Sequence, residues 1–319
     1  MKALVIDRIH EDGIDVLNQY FETVDIHHNI SRKELAAIVG DYDMLIGRAA
    51  PATGVIEKPT LEDSGKLKVI GIASVGLDQF DQEYIESKGI KLINLPGVNS
   101  ISVAEHTVTL LLCGMRYILL AYEQMKKGIW NKHGFNEALE LNGKTIGIIG
   151  FGNTGKAVSQ IVRSGFGMNV LAYDPYINKQ EASSNRGTLV SLEELLSSSD
   201  VVSIHAPLTD ETYHMIGEGE LKSMKKGAIL LNSARGGIVD EDALYQVLSN
   251  RHLRFAGLDV QEQEPCYESP LFSLDNFIAT PHIAGLTEDA LSRAGKRVAV
   301  ECLQYLGVEI KEDTDAVST

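Results

Sequence analysis

Between Lys144 and Asp174 the chain reads KTIGIIGFGNTGKAVSQIVRSGFGMNVLAYD, and this stretch constrains the fold more than any other. A short apolar run, Thr145 to Ile149, leads into Gly150, Gly152 and Gly155 in the pattern G-x-G-x-x-G. A helical segment follows with Ala157, Val158, Ile161 and Val162 on one face. A second apolar run, Met168 to Tyr173, then ends in Asp174. Strand, tight turn, helix, strand and acidic residue in that order predict a βαβ unit that binds a dinucleotide. Gly150 lets the chain turn sharply out of the strand, Gly152 lets the backbone approach a pyrophosphate, and Gly155 lets the helix pack closely on the strand. Asn153 and Thr154 open the helix, whose N-terminus offers unpaired N–H groups and the positive end of its dipole to that pyrophosphate. Asp174, 19 residues after Gly155, is placed to accept hydrogen bonds from ribose hydroxyls. A 2′-phosphate would meet like charge there, so NAD is expected over NADP. Lys179 is the nearby cation that could offset this repulsion.

The fingerprint comes late in the chain, and its position predicts the domain plan. Residues 1 to about 100 already alternate strand-like and helix-like segments. The strand candidates are Ala3–Ile6, Thr23–His27, Met44–Gly47, Lys68–Ala73 and Lys91–Asn94. Such alternation of short Val/Ile/Leu-rich runs with helices predicts a parallel α/β sheet. Ser31 with Glu34 reads as a capping box, and Ser191 with Glu194 as the cap of another helix. From Ile101 to about Lys127 runs the longest helical pattern, apolar on most faces. A helix of this kind has to be buried, between domains or between subunits. Behind the fingerprint, Val201–Pro207, Ala228–Ala234, Phe255–Val260 and Phe277–Pro281 read as four more strands. A last helix, Thr287 to about Leu306, is expected to return to the first unit, giving two lobes joined by two crossings around a cleft.

Length and composition agree with two domains: 319 residues exceed a typical single one. No apolar run is long enough to span a membrane. MKALVID reads as a first strand rather than a signal peptide, because Asp7 interrupts it. Cys113, Cys266 and Cys302 are widely scattered, without metal-ligand spacing or a C-x-x-C. Reduced packing cysteines, no metal and a cytoplasmic location are therefore expected. The net charge of −15 argues against nucleic acid as a partner. It also means that an anionic substrate must be held by a few specific basic residues.

Four chemically capable residues follow strand ends behind the fingerprint: Arg235 in NSARGGIVDEDAL, Asp259 in GLD, Glu264 in QEQEP and His282 in TPHIAG. In open parallel sheets ligands bind beyond the carboxyl ends of strands. Arg235 offers a planar fork of donors that fits a carboxylate. His282 can give or take a proton near neutral pH. Glu264, if it reaches His282, would orient the ring and stabilise the imidazolium. Singly, Arg235 could serve an ordinary ion pair and His282 could be a surface residue; as a set beside a dinucleotide fingerprint they point to catalysis.

With these residues in view the chain resembles the D-2-hydroxyacid dehydrogenase family, within it the phosphoglycerate dehydrogenase-like and hydroxypyruvate reductase-like members. The resemblance rests on SVGLDQFD (74–81), LPGVNSISVAEHTV (95–108), ELNGKTIGIIGFGNTGK (140–156), KKGAILLNSARGGIVDEDAL (225–244), GLDVQEQEP (257–265) and TPHIAG (280–285). It implies an α/β fold of two doubly wound parallel-sheet domains. A Rossmann nucleotide domain, residues 101–285 with the long helix, is inserted into a flavodoxin-like substrate domain, residues 1–100 and 286–319. It also implies a homodimer joined through the long-helix region. The family's catalytic Arg, Glu and His fall on Arg235, Glu264 and His282, and its substrate-carboxylate loop on Val75 and Gly76. Its NAD contacts fall on Asn153, Thr154, Asp174, Ala206, Ser233, Ala234 and Asp259. Thr154 replaces a frequent Ile and Ala284 a frequent Gly, and neither change removes a functional group.

The implied reaction is hydride transfer between NAD(H) and C2 of a small anionic 2-hydroxy or 2-keto acid, with His282 moving the proton. Arg48 matches a basic position that phosphoglycerate-type members use near the substrate. Ala49 and Ala50 lack the polar groups often found beside it, and Ile72 stands where several such enzymes carry Arg. Arg116 or the 126–132 region, from a second subunit, is the remaining source of charge for a phosphate. The expected substrates are 3-phosphoglycerate, hydroxypyruvate or glyoxylate. With Thr319 as the last residue, no ACT-type regulatory segment is expected. Two rivals share the fold: an NAD-sensing corepressor-type binding protein, and formate dehydrogenase, which carries Gln where this chain has Glu264.

Overall fold

The computed structural model describes residues 1–48, 56–77 and 80–310. The chain divides into two compact units, Met1–Asn99 with Leu286–Thr319, and Ser100–Gly285. In order, the first part carries β1 (Lys2–Val5), α1 (Glu11–Tyr20), β2 (Thr23–Ile26), α2 (Arg32–Ile38), β3 (Met44–Gly47), α3 (Lys58–Leu61), β4 (Val69–Ile72), α4 (Gln82–Ser87) and β5 (Lys91–Ile93). The middle part carries α5 (Ser100–Arg116), α6 (Ile118–Lys126), β6 (Thr145–Ile149), α7 (Asn153–Phe166), β7 (Asn169–Tyr173), α8 (Lys179–Ser184), β8 (Thr188–Leu189), α9 (Leu192–Ser198) and β9 (Val201–Ile204). It continues with α10 (Glu218–Ser223), β10 (Ile229–Asn232), α11 (Glu241–Ser249), β11 (Phe255–Leu258) and β12 (Phe277–Ala279), and α12 (Glu288–Tyr305) follows in the first unit.

Among the described residues the first unit has five parallel strands in the order β2-β1-β3-β4-β5, the flavodoxin-like arrangement. β3 and β4 are buried at every position, as expected for a sheet covered on both faces. Alternate side chains feed two cores. Val5, Met44 and Val69 pack with Val298 and Cys302 of α12, while Leu4, Leu45 and Ile70 pack with Leu35 and Ile85 of α2 and α4. α12 crosses α1 with backbone in contact: a Cβ on Gly13 would lie 2.6 Å from the carbonyl carbon of Gly295. The capping box of Ser31 and Glu34 is formed.

The second unit has seven parallel strands in the order β12-β11-β10-β9-β6-β7-β8. Counted from β6 as its first strand, this is the doubly wound dinucleotide-binding order with an added seventh strand. The order reverses between β6 and β9, which pair in register Ile149 to Ile204. That reversal opens a crevice at the carboxyl ends of the two strands. Both halves of the expected α/β architecture are therefore present.

Three features differ from the sequence pattern. Most strands are shorter than their apolar runs, although β3 and β6 keep the expected bounds. Val201–Pro207, for example, contributes Val201–Ile204, and the His205 N–H makes a last bond to the Ile149 carbonyl at 2.7 Å before the chain leaves the sheet. β8 is only two residues long and leaves no periodic signal. The helix expected from Ile101 to about Lys127 is two helices bent by 64°, broken at Tyr117 with φ of 53°. α5 is held against β11 so closely that a Cβ on Gly114 would meet the Phe255 ring. α6 leaves that surface and buries none of its residues within the chain. Among the described residues no single helix is long and apolar enough to cross a membrane.

Candidate active site

The glycine turn is built as its residue types require. Gly150 has φ of 84°, and a Cβ there would lie 2.6 Å from the Ala206 nitrogen and the His205 carbonyl carbon. The end of β6 thus presses directly on the segment that leaves β9. A Cβ on Gly155 would lie 2.3 Å from the Gly150 oxygen, so only glycine lets the first turn of α7 sit on the glycine loop. A Cβ on Gly152 meets nothing within 4 Å, so that position faces open space. Gly152 is the N-cap of α7 and supplies no side-chain bond, which leaves the first N–H groups beyond it available to an anion. Asn153 is exposed, and Thr154 lies with its hydroxyl 3.3 Å from that of Ser100.

Asp174 is fixed at both oxygens. Oδ2 accepts the Phe151 N–H at 2.8 Å and Oδ1 accepts the Tyr176 N–H at 2.9 Å. A carboxylate has about four lone-pair sites, so each oxygen retains capacity for a further donor. Lys179 is exposed at the start of α8, and Lys156 pairs with Glu181 at 2.8 Å.

Beyond β10, Asn232 organises the Arg235 turn. Its Oδ1 accepts the Ala234 N–H at 3.0 Å and its Nδ2 donates to the Arg235 carbonyl at 2.8 Å. Ser233 is buried with its hydroxyl 3.2 Å from that of Thr107 on α5. Arg235 is half-buried, and its Nη1 donates to the Ala234 carbonyl at 2.8 Å. A Cβ on Gly236 would lie 1.8 Å from the Gln261 oxygen, so the Arg235 turn and the Gln261–Glu264 loop touch backbone to backbone.

Glu264 and His282, 18 residues apart, meet at 2.8 Å between Oε2 and Nδ1. The other oxygen of Glu264 accepts the Gln261 N–H at 3.1 Å, which aims the carboxylate at the ring. The hydrogen bond from Glu264, opposed by burial and reinforced by the charges of Glu264 and Asp259, raises the His282 pKa above its ordinary value; Arg235 acts the other way. Burial pushes the Glu264 carboxyl up, but the hydrogen bond and charge of His282, the Gln261 N–H and the charge of Arg235 outweigh it and hold the carboxyl below its ordinary value. Arg235 therefore lies within electrostatic reach of both members of the pair.

His282 itself has φ of 55°, a left-handed conformation uncommon for a non-glycine residue. Asp259 holds it there. Its carbonyl accepts the His282 N–H at 2.7 Å, Oδ1 accepts the Ile283 N–H at 2.9 Å, and Oδ2 accepts the Ala284 N–H at 2.8 Å. Asp259 is 1% exposed. Among its described contacts, this residue organises the His282 turn.

The first unit carries the other residues singled out from sequence. Arg48 is half-buried after β3; Val75 and Gly76 are half-buried in the bend after β4, where Asn94 Nδ2 donates to the Val75 carbonyl at 2.7 Å. Ala49 and Ala50 lie outside the described residues. Ile72 is 1% exposed within the core and offers no charge. Sequence reasoning missed Asn232, which is uncharged and signals nothing by spacing, and the inward role of Asp259.

Comparison with known proteins agrees with this geometry. Residues 108–284 match the family model "D-isomer specific 2-hydroxyacid dehydrogenase, NAD binding domain". The chain is 41% identical over 314 residues to D-3-phosphoglycerate dehydrogenase of Methanocaldococcus jannaschii, covering 98% of this chain and 59% of that protein. It thus spans little more than half the length of that relative. It is 36% identical over 307 residues to hydroxypyruvate reductase of Thermotoga maritima, covering 95% of this chain and 98% of the relative. The crystal structure of D-lactate dehydrogenase from Aquifex aeolicus, complexed with NAD and lactic acid, superposes with a TM-score of 0.81 at 30% identity, covering 96% of each chain. The sheet reversal, the glycine turn and the matches over nearly the whole sequence lead to one assignment: the chain belongs to the D-isomer specific 2-hydroxyacid dehydrogenase family.

Proposed function

We propose that the chain is an NAD-dependent D-2-hydroxyacid dehydrogenase acting on a small 2-hydroxy or 2-keto acid. The observation that carries the reading is the Glu264–His282 pair at 2.8 Å beside Arg235, in a unit that matches an NAD-binding domain. The residues fit NAD: Gly152 faces open space, α7 begins without a side-chain cap, and Asp174 keeps acceptor capacity for the ribose hydroxyls. Gly150, Gly155, Asn153, Thr154, Ala206, Ser233 and Ala234 shape the rest of that surface.

Bound NADH supplies the hydride that reaches C2 of the keto acid. His282, as the imidazolium, donates its Nε2 proton to the C2 oxygen, and in the opposite direction the neutral ring takes that proton back. Glu264 fixes Nδ1 and stabilises the charged ring between these states. Arg235 binds the substrate carboxylate; in the first unit the family resemblance assigns substrate contacts to the N–H groups of Val75 and Gly76. Arg48 is the basic residue available to a phosphorylated or hydroxylated substrate tail.

The relatives named D-3-phosphoglycerate dehydrogenase and hydroxypyruvate reductase support 3-phosphoglycerate and hydroxypyruvate or glyoxylate as the substrates. The experiment is NADH oxidation against phosphohydroxypyruvate, hydroxypyruvate, glyoxylate, pyruvate and bulkier keto acids, repeated with NADPH. Turnover on one of the small keto acids with NADH preferred is expected. Cofactor binding without turnover on any of them would favour the NAD-sensing reading instead. A homodimer through α6 is supported by Ile118, Leu119, Tyr122 and Met125, all exposed in the single chain, with Ile129 and Trp130 beside them.

A further inference from the structure

The AEHTV stretch of α5 contains a histidine that the reaction above does not use. His106 Nε2 lies 3.0 Å from Thr280 Oγ1, and Thr280 donates its hydroxyl to Asp259 Oδ1 at 2.6 Å. A threonine hydroxyl has one hydrogen. Because that hydrogen goes to Asp259, Thr280 Oγ1 can only accept from His106, and the ring proton therefore sits on Nε2. The result is a directed chain of bonds from His106 through Thr280 to Asp259. Its end is the same carboxylate that holds the backbone N–H groups of Ile283 and Ala284, the two residues after His282.

We propose that His106 is a positioning residue for His282, acting through Thr280 and Asp259. Asp259 is buried, so water cannot replace a missing donor, and a buried carboxylate keeps its position only while its bonds are made. His282 is held in a left-handed conformation that persists only where the surroundings over-determine it. Removing His106 frees the Thr280 hydroxyl to rotate away from Asp259. The carboxylate then rests on two N–H groups, the turn loosens, and the Nδ1 contact with Glu264 is made for a smaller share of the time. The charged groups that act on His282 within this unit are Glu264, Asp259 and Arg235, and the charge of Glu264 in turn helps to raise the Glu241 carboxyl. His106 reaches His282 through Asp259, whose Oδ1 lies 3.5 Å from His106 Nε2 in addition to the bond through Thr280.

The proposal rests on His282 as the proton donor, and its test has one arm that does not need turnover. His106→Leu, His106→Gln and Thr280→Val are made in the full chain. The first readout is kcat and KM for keto-acid reduction across pH. The second is the NMR titration of the His282 imidazole without cofactor or substrate, its signal assigned by loss in His282→Asn. In His106→Leu, kcat falls about tenfold from lost orientation. KM stays near the wild-type value, and the His282 midpoint moves down toward that of an ordinary histidine. His106→Gln, whose amide can donate to Thr280, restores both. Thr280→Val, which keeps the volume and removes the hydroxyl, reproduces the His106→Leu shift and carries the test if that variant does not fold. An unchanged His282 midpoint in His106→Leu and Thr280→Val overturns the proposal, as does an equal loss of kcat in the Leu and Gln variants. Absence of turnover in the wild-type protein contradicts the proposed function instead, while the titration still decides the role of His106.

Discussion

The N–H of Phe151, inside the glycine turn, donates to Oδ2 of Asp174 at 2.8 Å, so the turn that follows β6 and the acidic residue that follows β7 are tied directly to each other. The carboxylate expected to bind ribose is thus oriented by the same loop expected to bind pyrophosphate. Asp174→Ala removes both functions. Hydrogen bonds to charged groups contribute about 1.5–3 kcal/mol each, so NADH affinity is expected to fall by ~10- to 100-fold. Fluorescence titration of NADH reads this directly, and an unchanged Kd would count against Asp174 as a cofactor residue.

Arg235 separates charge from geometry. Truncating one partner of a buried charge pair costs about 2–5 kcal/mol, so Arg235→Ala is expected to lose keto-acid reduction by ~10²-fold or more. Arg235→Lys keeps the charge but not the planar fork and is expected to recover only part of that loss. Steady-state kinetics on the preferred keto acid check both variants; full activity in Arg235→Lys would mean that the fork is not used.

The opposed shifts of Glu264 and His282 set a pH window. His282 is raised on folding, so its stabilising contribution is complete below its unfolded value and is lost as pH rises through the folded one. Glu264 is lowered, so its contribution is present above its unfolded value and is lost as pH falls through the folded one. The pair is strongest between the two folded values. Keto-acid reduction needs the imidazolium and is expected to decline as pH rises through the raised His282 value, above the reference of 6.5. Hydroxy-acid oxidation should rise over the same range. Profiles of kcat/KM in both directions test the sign.

Gly152 and Gly236 predict opposite consequences of one added methyl group. A Cβ on Gly236 would lie 1.8 Å from the Gln261 oxygen, whereas one on Gly152 meets open space. Overpacking costs about 1–3 kcal/mol, so Gly236→Ala is expected to lower the melting temperature by several degrees. Gly152→Ala should leave the melting temperature unchanged and weaken NADH binding. Thermal unfolding by circular dichroism, paired with NADH titration, distinguishes the two.

Much of this fold was legible because its signals are local. The G-x-G-x-x-G turn, the buried strand runs and the caps at Ser31 and Ser191 each act over a few residues. The break at Tyr117 was not legible: no Gly or Pro marks it, and Arg254, 137 residues away, donates to the Tyr117 hydroxyl at 2.7 Å. α6 read as buried because periodicity does not distinguish an apolar face that meets a core from one that meets solvent or a partner. The candidate site divides the same way. Arg235, Glu264 and His282 stand out by residue type at strand ends. The Asn232 clamp, the inward bonds of Asp259 and the reach of His106 across 174 residues to Thr280 depend on tertiary structure alone.

The central claim is that His282, aimed by Glu264, moves the proton of a hydride-transfer reaction. The most direct test is His282→Ala, assayed for both NADH binding and single-turnover reduction of the preferred keto acid. Positioned proton transfer contributes roughly 10²–10⁴-fold, so the account predicts NADH binding near the wild-type value with turnover reduced by that factor. Near-normal turnover in His282→Ala, with cofactor bound, would contradict it.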